Sequence, residues 1–246
     1  MLVIRPHIFN PYTEVICAFS TKSGFSRKAP YFFNMSYKVG DIKENVKKNR
    51  QAFFNIIGLD ESTVSSQKQV HGDKVSTTNK ASYCDESDGL ITTKPDLGLI
   101  ISSADCPAIF IYDKKIKLVA AIHSGWRGTA KKILAKTLFK LSNDFNSQSK
   151  DLICYIGPSI SQSNYEIGDD VADNFNNDFI LAKNDKYFLD LKSANYKILL
   201  DAGVKKTNIQ VSKLCSYEYS NLLHSYRRSG EKSGRAIGVI YMRDKL

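Results

Sequence analysis

Residues 117–128 read KLVAAIHSGWRG. The apolar run with β-branched Val119 and Ile122 predicts a strand over residues 117–123 that ends on His123, where Ser124 and Gly125 interrupt it. Gly128 or Thr129 then opens a helix to residue 141, with Ile133, Leu134, Leu138 and Leu141 facing inward. Outward from this unit, residues 14–21, 63–70, 88–93, 97–102 and 108–112 read as strands, as do 152–156, 208–214 and 236–241. Residues 41–57 predict a helix: Asp41 with Glu44 forms a capping box, Ile42, Val46, Phe53 and Ile57 share a face, and Gly58 ends it. Helical spacing is also present at 169–180 and at 192–201, the second closed by Gly203. Adjacent strands followed by helices in pairs predict an α+β layered domain.

The chain has 246 residues with 35 Lys+Arg against 25 Asp+Glu, a net charge of +10. Its apolar content of 42% and charged content of 24% exclude a disordered or fibrous chain. The longest apolar runs are about six residues, where a membrane span needs about 20. The opening MLVIRPHIFN carries Arg5 and His7 and lacks the apolar run of a secretory signal, so a cytoplasmic location is expected. The polar stretch SNDFNSQSK, residues 142–150, reads as a surface loop rather than a boundary, so residues 1–246 form one domain. Five cysteines, none in C-x-x-C spacing, argue against a disulfide framework. The basic residues come as scattered pairs such as Lys47-Lys48 and Arg227-Arg228, without a basic tail or zinc-finger spacing. A surface attractive to anionic substrates explains the charge better than nucleic-acid binding.

Three metal-ligating residues fall at predicted strand ends: His71 in QVHG, Cys106 in SSADCP and His123 in HSGWRG. A His₂Cys set suits zinc with an open position, and copper also accepts it. Read separately, each is an ordinary buried or capping residue, and spacing alone does not decide between the two. Asp105 is a candidate proton carrier, although neighbours on a strand point to opposite faces and Asp105 equally suits a turn cap. Residues 125–129 place Arg127 and backbone N–H groups at a helix start, a candidate anion site, or simply a cap beside a buried Trp. His224 and Tyr226, beside Arg227 and Arg228, read as a basic surface turn, and Cys215 as a packing residue.

Taken in order, these segments resemble one family. They are Phe33-Asn34-Met35-Ser36, Val39-Gly40-Asp41, Asn49-Arg50, Gln69-Val70-His71-Gly72, Asp88-Gly89-Leu90-Ile91-Thr92 and Ala104-Asp105-Cys106. They continue through His123-Ser124-Gly125-Trp126-Arg127-Gly128, Ile156-Gly157-Pro158-Ser159-Ile160, Tyr165-Glu166-Ile167-Gly168, Ser225-Tyr226-Arg227-Arg228 and Gly234-Arg235. Over about 200 residues this order resembles the YfiH/YlmD family, once called the laccase domain or polyphenol oxidase. The resemblance implies a single-domain α/β/β/α sandwich related to the cysteine-hydrolase domain of cytotoxic necrotizing factor. It implies metal ligation by His71, Cys106 and His123, with Arg50 and Asn34 at the pocket. Two departures stand out: Pro107 follows Cys106 directly, and Ser124 replaces the usual Ala.

The implied activity is phosphorolysis of adenosine, inosine, guanosine or methylthioadenosine to free base and ribose 1-phosphate. A second implied activity is deamination of adenosine to inosine, with zinc activating water and Asp105 passing protons. Arg50, and more weakly Arg127, would hold phosphate. The expected partners are thus purine nucleosides and phosphate, not nucleic acid or membrane, for a monomer or homodimer. Multicopper oxidase chemistry is rejected, because only four histidines are present and no His-x-His pair. Two alternatives stand beside this reading: an amidase with Cys106 as nucleophile and His123 or His71 as base, acting on a peptidoglycan precursor, and a non-enzymatic binding module.

Overall fold

The computed structural model describes residues 1–244. Two six-stranded sheets face each other. The first runs in spatial order Val3–Ile4, Val15–Ser20, Ala236–Met242, Gly98–Ser103, Val64–Gln67, Tyr83–Cys84. The second runs Ile209–Val211, Leu152–Ile156, Ala108–Asp113, Leu118–His123, Gly89–Thr92, Val75–Thr77. Their central strands are mostly apolar because each is covered on both faces. In Leu118–His123, Val119 and Ala121 face the layer between the sheets, while Leu118, Ala120 and Ile122 face the helices. The same period of two splits Ala108–Asp113 into Phe110 and Tyr112 on one side and Ile109 and Ile111 on the other.

Helix Lys43–Ile57 covers the outer face of the first sheet, setting Phe53, Phe54 and Ile57 against Ala18, Ile100, Val239 and Tyr241. Helices Ile133–Phe145 and Leu191–Asp201 cover the second sheet, with Leu134, Leu141 and Leu199 against Ile109, Ile111 and Ile122. The result is the α/β/β/α layering expected. At the inter-sheet contact Gly238 has no room for a side chain: a Cβ there would lie 2.4 Å from Phe110 and 2.8 Å from Phe19. Among the described residues no helix is long and apolar enough to cross a membrane.

Several local expectations are corrected. The capping box is absent: the helix starts at Lys43, and Asp41 instead accepts from the Ile42 N–H and the Asn34 amide. Ile42 is exposed rather than part of the buried face. The helix expected from Gly128 is two pieces, Trp126–Ala130 and Ile133–Phe145, broken where Lys132 is left-handed at φ 62°. Its second piece runs into the segment read as a loop, ending at left-handed Asn146. The strand expected over 63–70 stops at Gln67 and that over 208–214 spans only Ile209–Val211. Residues 169–180 are α-helical only over Asp169–Ala172, with a single 3-10 turn at Asn177–Phe179. The following DNFNND run competes for the backbone with its own side chains; Asn176 Oδ1 accepts from the Asp178 N–H at 2.9 Å. An unexpected hairpin, Ile180–Lys183 with Lys186–Leu189, then turns on Asn184 and Asp185, both at positive φ.

Candidate active site

Strand register assembles the site. Ala108 pairs with His123, so Cys106, two residues earlier, reaches the end of the same ladder. Gly89 pairs with Ile122, which sets Asp88 beside His123; the His123 N–H donates to the Asp88 carbonyl at 2.7 Å. Val75 pairs with Gly89, which returns the 70–72 turn to the same place. Three chain crossings from the first sheet to the second, 67 to 75, 84 to 89 and 103 to 108, therefore pass over one rim. His71, Cys106 and His123 meet there, with ligand atoms all within 4.8 Å of one another. The two imidazole rings are edge-on, with centroids 4.8 Å apart. His71 is exposed, Cys106 half-buried and His123 buried, so the cluster opens on the His71 side.

Asp88, fully buried, organises this cluster. Its Oδ1 accepts from His123 Nδ1 at 2.7 Å, leaving Nε2 as the nitrogen facing the cluster. Its carboxylate also accepts the N–H groups of Val70 at 3.1 Å, His71 at 3.0 Å and Gly72 at 2.8 Å. One carboxylate thus fixes one histidine by its ring and the other by its backbone, as carboxylates behind metal-ligating histidines do. Burial alone would raise the Asp88 pKa, but the His123 bond and these backbone donors hold it below the ordinary value. Burial likewise pushes the Cys106 thiol up; the charge and hydrogen bond of His123, with the His71 bond, outweigh it and bring the thiol below its ordinary range. His123 is raised against its own burial by Cys106 and Asp88. The surroundings therefore favour the thiolate of Cys106 beside His123, with the Asp88 carboxylate behind the ring. A thiolate and two imidazoles in mutual reach fit a borderline cation such as zinc.

The remaining candidates are placed differently. Both Asp105 oxygens bond away from the cluster: Ser216 Oγ donates to Oδ1 at 2.5 Å and the Arg227 N–H to Oδ2 at 2.7 Å. Asp105 holds that turn from a left-handed backbone at φ 99°. Asn34 is fully buried and satisfied, donating to Ser36 and Asp41 and accepting the N–H groups of Ser36 and Arg235. Its side chain ties Asp41 to the backbone of Arg235. Arg50 is engaged through Nε with Glu61 and through Nη1 with the Met35 carbonyl at 3.0 Å. Arg127 is exposed and stacks over Trp126, with Cζ 4.3 Å from the ring centroid. Tyr165 lies close enough that the charges of Cys106, Arg227, Asp105 and Arg127 all act on it; burial keeps its phenol protonated. Ser124 donates to Asn195 Oδ1 at 2.8 Å and bonds Thr129 Oγ1 at 2.9 Å, so the hydroxyl that departs from the family pattern is fully used.

His224 corrects the surface-turn reading. It is buried, 2.6 Å from where a Cβ on Gly234 would lie, and burial pushes its pKa down to about 3. The folded chain refuses a proton that the unfolded chain takes near 6.5, so stability is lost as pH falls from there toward about 3. Urea midpoints measured from pH 7.5 to pH 5 are expected to fall less in His224→Gln than in the wild type; equal slopes would contradict this.

Gly125 marks how tight the site is. A Cβ there would lie 2.9 Å from Cys106 Sγ and 3.1 Å from His71 Cδ2. Gly125→Ala is expected to displace both side chains and cost about 100-fold in turnover, since ångström-scale misplacement has that effect. Its melting temperature should stay within a few degrees of wild type, a pairing that distinguishes a site defect from misfolding.

Fold and cluster together define a two-sheet sandwich with a thiolate–imidazole centre at the sheet rim. Within that class the chain belongs to the laccase-domain family: the model described as "Multi-copper polyphenol oxidoreductase laccase" matches residues 16–243. A purine nucleoside phosphorylase of Bacteroides thetaiotaomicron is 31% identical, over 93% of this chain and 92% of that one. Purine nucleoside phosphorylase YlmD of Bacillus subtilis is also 31% identical, over 94% and 90%. The crystal structure of Bacillus licheniformis hypothetical protein YfiH superposes with a TM-score of 0.92 at 29% identity, covering 98% of this chain and 96% of that one. YlmD from Geobacillus stearothermophilus gives 0.88 at 28%, covering 95% and 94%. The oxidase description does not suit the ligands of this chain. Two of its four histidines enter the cluster, whereas His224 is enclosed near Phe33 and Gly234, and His7 lines a separate groove with Ile8 and Gln210.

Proposed function

We propose that this chain is a purine nucleoside phosphorylase with a second, deaminating activity on adenosine. The observation that carries the reading is the Cys106–His123–Asp88 line completed by His71 at an open rim, in a chain similar along its length to proteins named purine nucleoside phosphorylases. His71, Cys106 and His123 would hold zinc, with copper compatible with the same donors. Bound there, the ion supplies Lewis-acid stabilisation of developing negative charge. Asp88 keeps His123 in the tautomer that presents Nε2. Asp105 holds the Arg227 turn against the site, and His71 leaves one side of the cluster open to substrate. The substrates are adenosine, inosine, guanosine or methylthioadenosine with inorganic phosphate, for a cytoplasmic monomer or homodimer.

The deciding experiment is chromatography of zinc-loaded protein with each nucleoside, with and without phosphate. Free base and ribose 1-phosphate that require phosphate support the phosphorylase reading, and inosine from adenosine supports the deaminase. Unchanged peaks for all four nucleosides overturn both. A second reading rests on the same line of residues: Cys106, His123 and Asp88 are ordered as nucleophile, base and orienting acid. An amidase of this kind would work on a peptidoglycan precursor in metal-depleted protein, lose activity to a thiol alkylator and yield a trappable thioester.

A further inference from the structure

Arg235 is a half-buried cation at this rim that makes no ion pair, although it feels the charges of Asp105 and Cys106. It immediately precedes the strand Ala236–Met242, in which Ala236 pairs with Ser103, so it lies at the sheet end that carries the Asp105–Cys106 turn. Its backbone is pinned on both sides: the N–H donates to Asn34 Oδ1 at 2.9 Å and the carbonyl accepts from the Met35 N–H at 2.9 Å. The guanidinium spends Nη1 on the carbonyls of Ser233 at 2.6 Å and Gly234 at 3.1 Å, and its Cζ sits 5.3 Å from the Tyr226 ring centroid. Among the described residues no carboxylate comes within ion-pair distance of it, and Nε and Nη2 have no hydrogen-bond partner. That edge of the half-buried guanidinium is left for solvent or a ligand to meet.

The other arginines near the rim are either bonded or exposed. Arg50 pairs with Glu61, and Arg228 donates to the carbonyls of Ser216, Tyr217 and Leu223. Arg227 donates to the Glu166 carbonyl and stands over Tyr165, and Arg127 is exposed over Trp126. The free Nε–Nη2 edge of Arg235 is the side-on fork that matches two oxygens of one oxyanion. We propose that Arg235, held by Asn34 and Met35, is the phosphate-binding residue of this site, in the place expected for Arg50. The inference rests on the phosphorylase reading for the identity of the anion, but its test does not depend on turnover.

Arg235→Gln and Arg235→Lys would be compared with wild type in two measurements: phosphate and nucleoside KM, and thermal stabilisation by inorganic phosphate without nucleoside. The expected result for Arg235→Gln is a rise of about 10–100-fold in phosphate KM, the worth of a charge-assisted pair, with nucleoside KM within about threefold. Arg235→Lys should fall between, because a point charge keeps attraction but loses the fork. Thermal stabilisation by phosphate should vanish in Arg235→Gln. If that variant does not fold, Arg235→Lys carries the test. Unchanged phosphate KM and unchanged phosphate stabilisation in the folded variants overturn the inference while leaving the phosphorylase reading intact. A wild type that cleaves no nucleoside, yet is stabilised by phosphate through Arg235, overturns that reading and keeps the anion site.

Discussion

Replacing Cys106 by Ala is expected to lower nucleoside cleavage at least ~1000-fold, about 4 kcal/mol of transition-state stabilisation. It should also remove stoichiometric zinc from the purified protein. The sulfur is the anionic member of the cluster, held as thiolate by His123 and His71. Without it two neutral imidazoles remain, a weaker set for a borderline cation. The fold should survive, because Cys106 is half-buried at a strand-end turn, outside the hydrophobic clusters. His123 keeps its bond to Asp88, so no buried charge is stranded. Metal analysis, circular dichroism and single-turnover kinetics on one preparation make the check. A folded, metal-free Cys106→Ala protein that retains cleavage within tenfold of wild type would remove the cluster from the reaction.

What the sequence made legible follows from how each feature is written. The strand at Leu118–His123 is a continuous apolar run, and its reading needed nothing from elsewhere in the chain. His71, Cys106 and His123 are chemically rare side chains at strand ends, so they could be picked out before their separation in space was known. Asp88 was quoted only as part of a motif, because its role exists only once Gly89 pairs with both Ile122 and Val75. Arg235 was hidden among other arginines; what sets it apart is a half-buried guanidinium whose Nε–Nη2 edge no protein group bonds, a property of the fold. Local competition explains the helical misreadings. Polar side chains between 173 and 178 bond their own backbone, and a left-handed Lys132 divides a helix whose apolar spacing is otherwise continuous. The Asn184-Asp185 turn did carry a hairpin signal in its residue types, which the neighbouring helical spacing masked.

Asp88 offers the sharper test of how the centre is held. Asp88→Ala is expected to weaken zinc binding about 10–100-fold, the usual loss when the partner behind a metal-ligating histidine is removed. It should also cost ~3–5 kcal/mol in stability, since a buried pair is broken and three N–H donors lose their acceptor. For a domain of this size each kcal/mol moves Tm by about 2–4 °C, so a fall on the order of 10 °C should be measurable. Asp88→Asn separates the two roles. Its oxygen can still meet His123, but its NH₂ group must face the N–H groups of Val70 and Gly72, which bond the other oxygen in the native site. The 70–72 turn should therefore loosen and carry His71 away, although His123 remains oriented. Zinc titration against a competing chelator, alongside thermal melts, distinguishes these outcomes. Zinc affinity within threefold of wild type in both variants would reduce Asp88 to a packing residue. Affinity lost in Asp88→Ala but kept in Asp88→Asn would place the whole effect on His123 and free the His71 turn from any part in it.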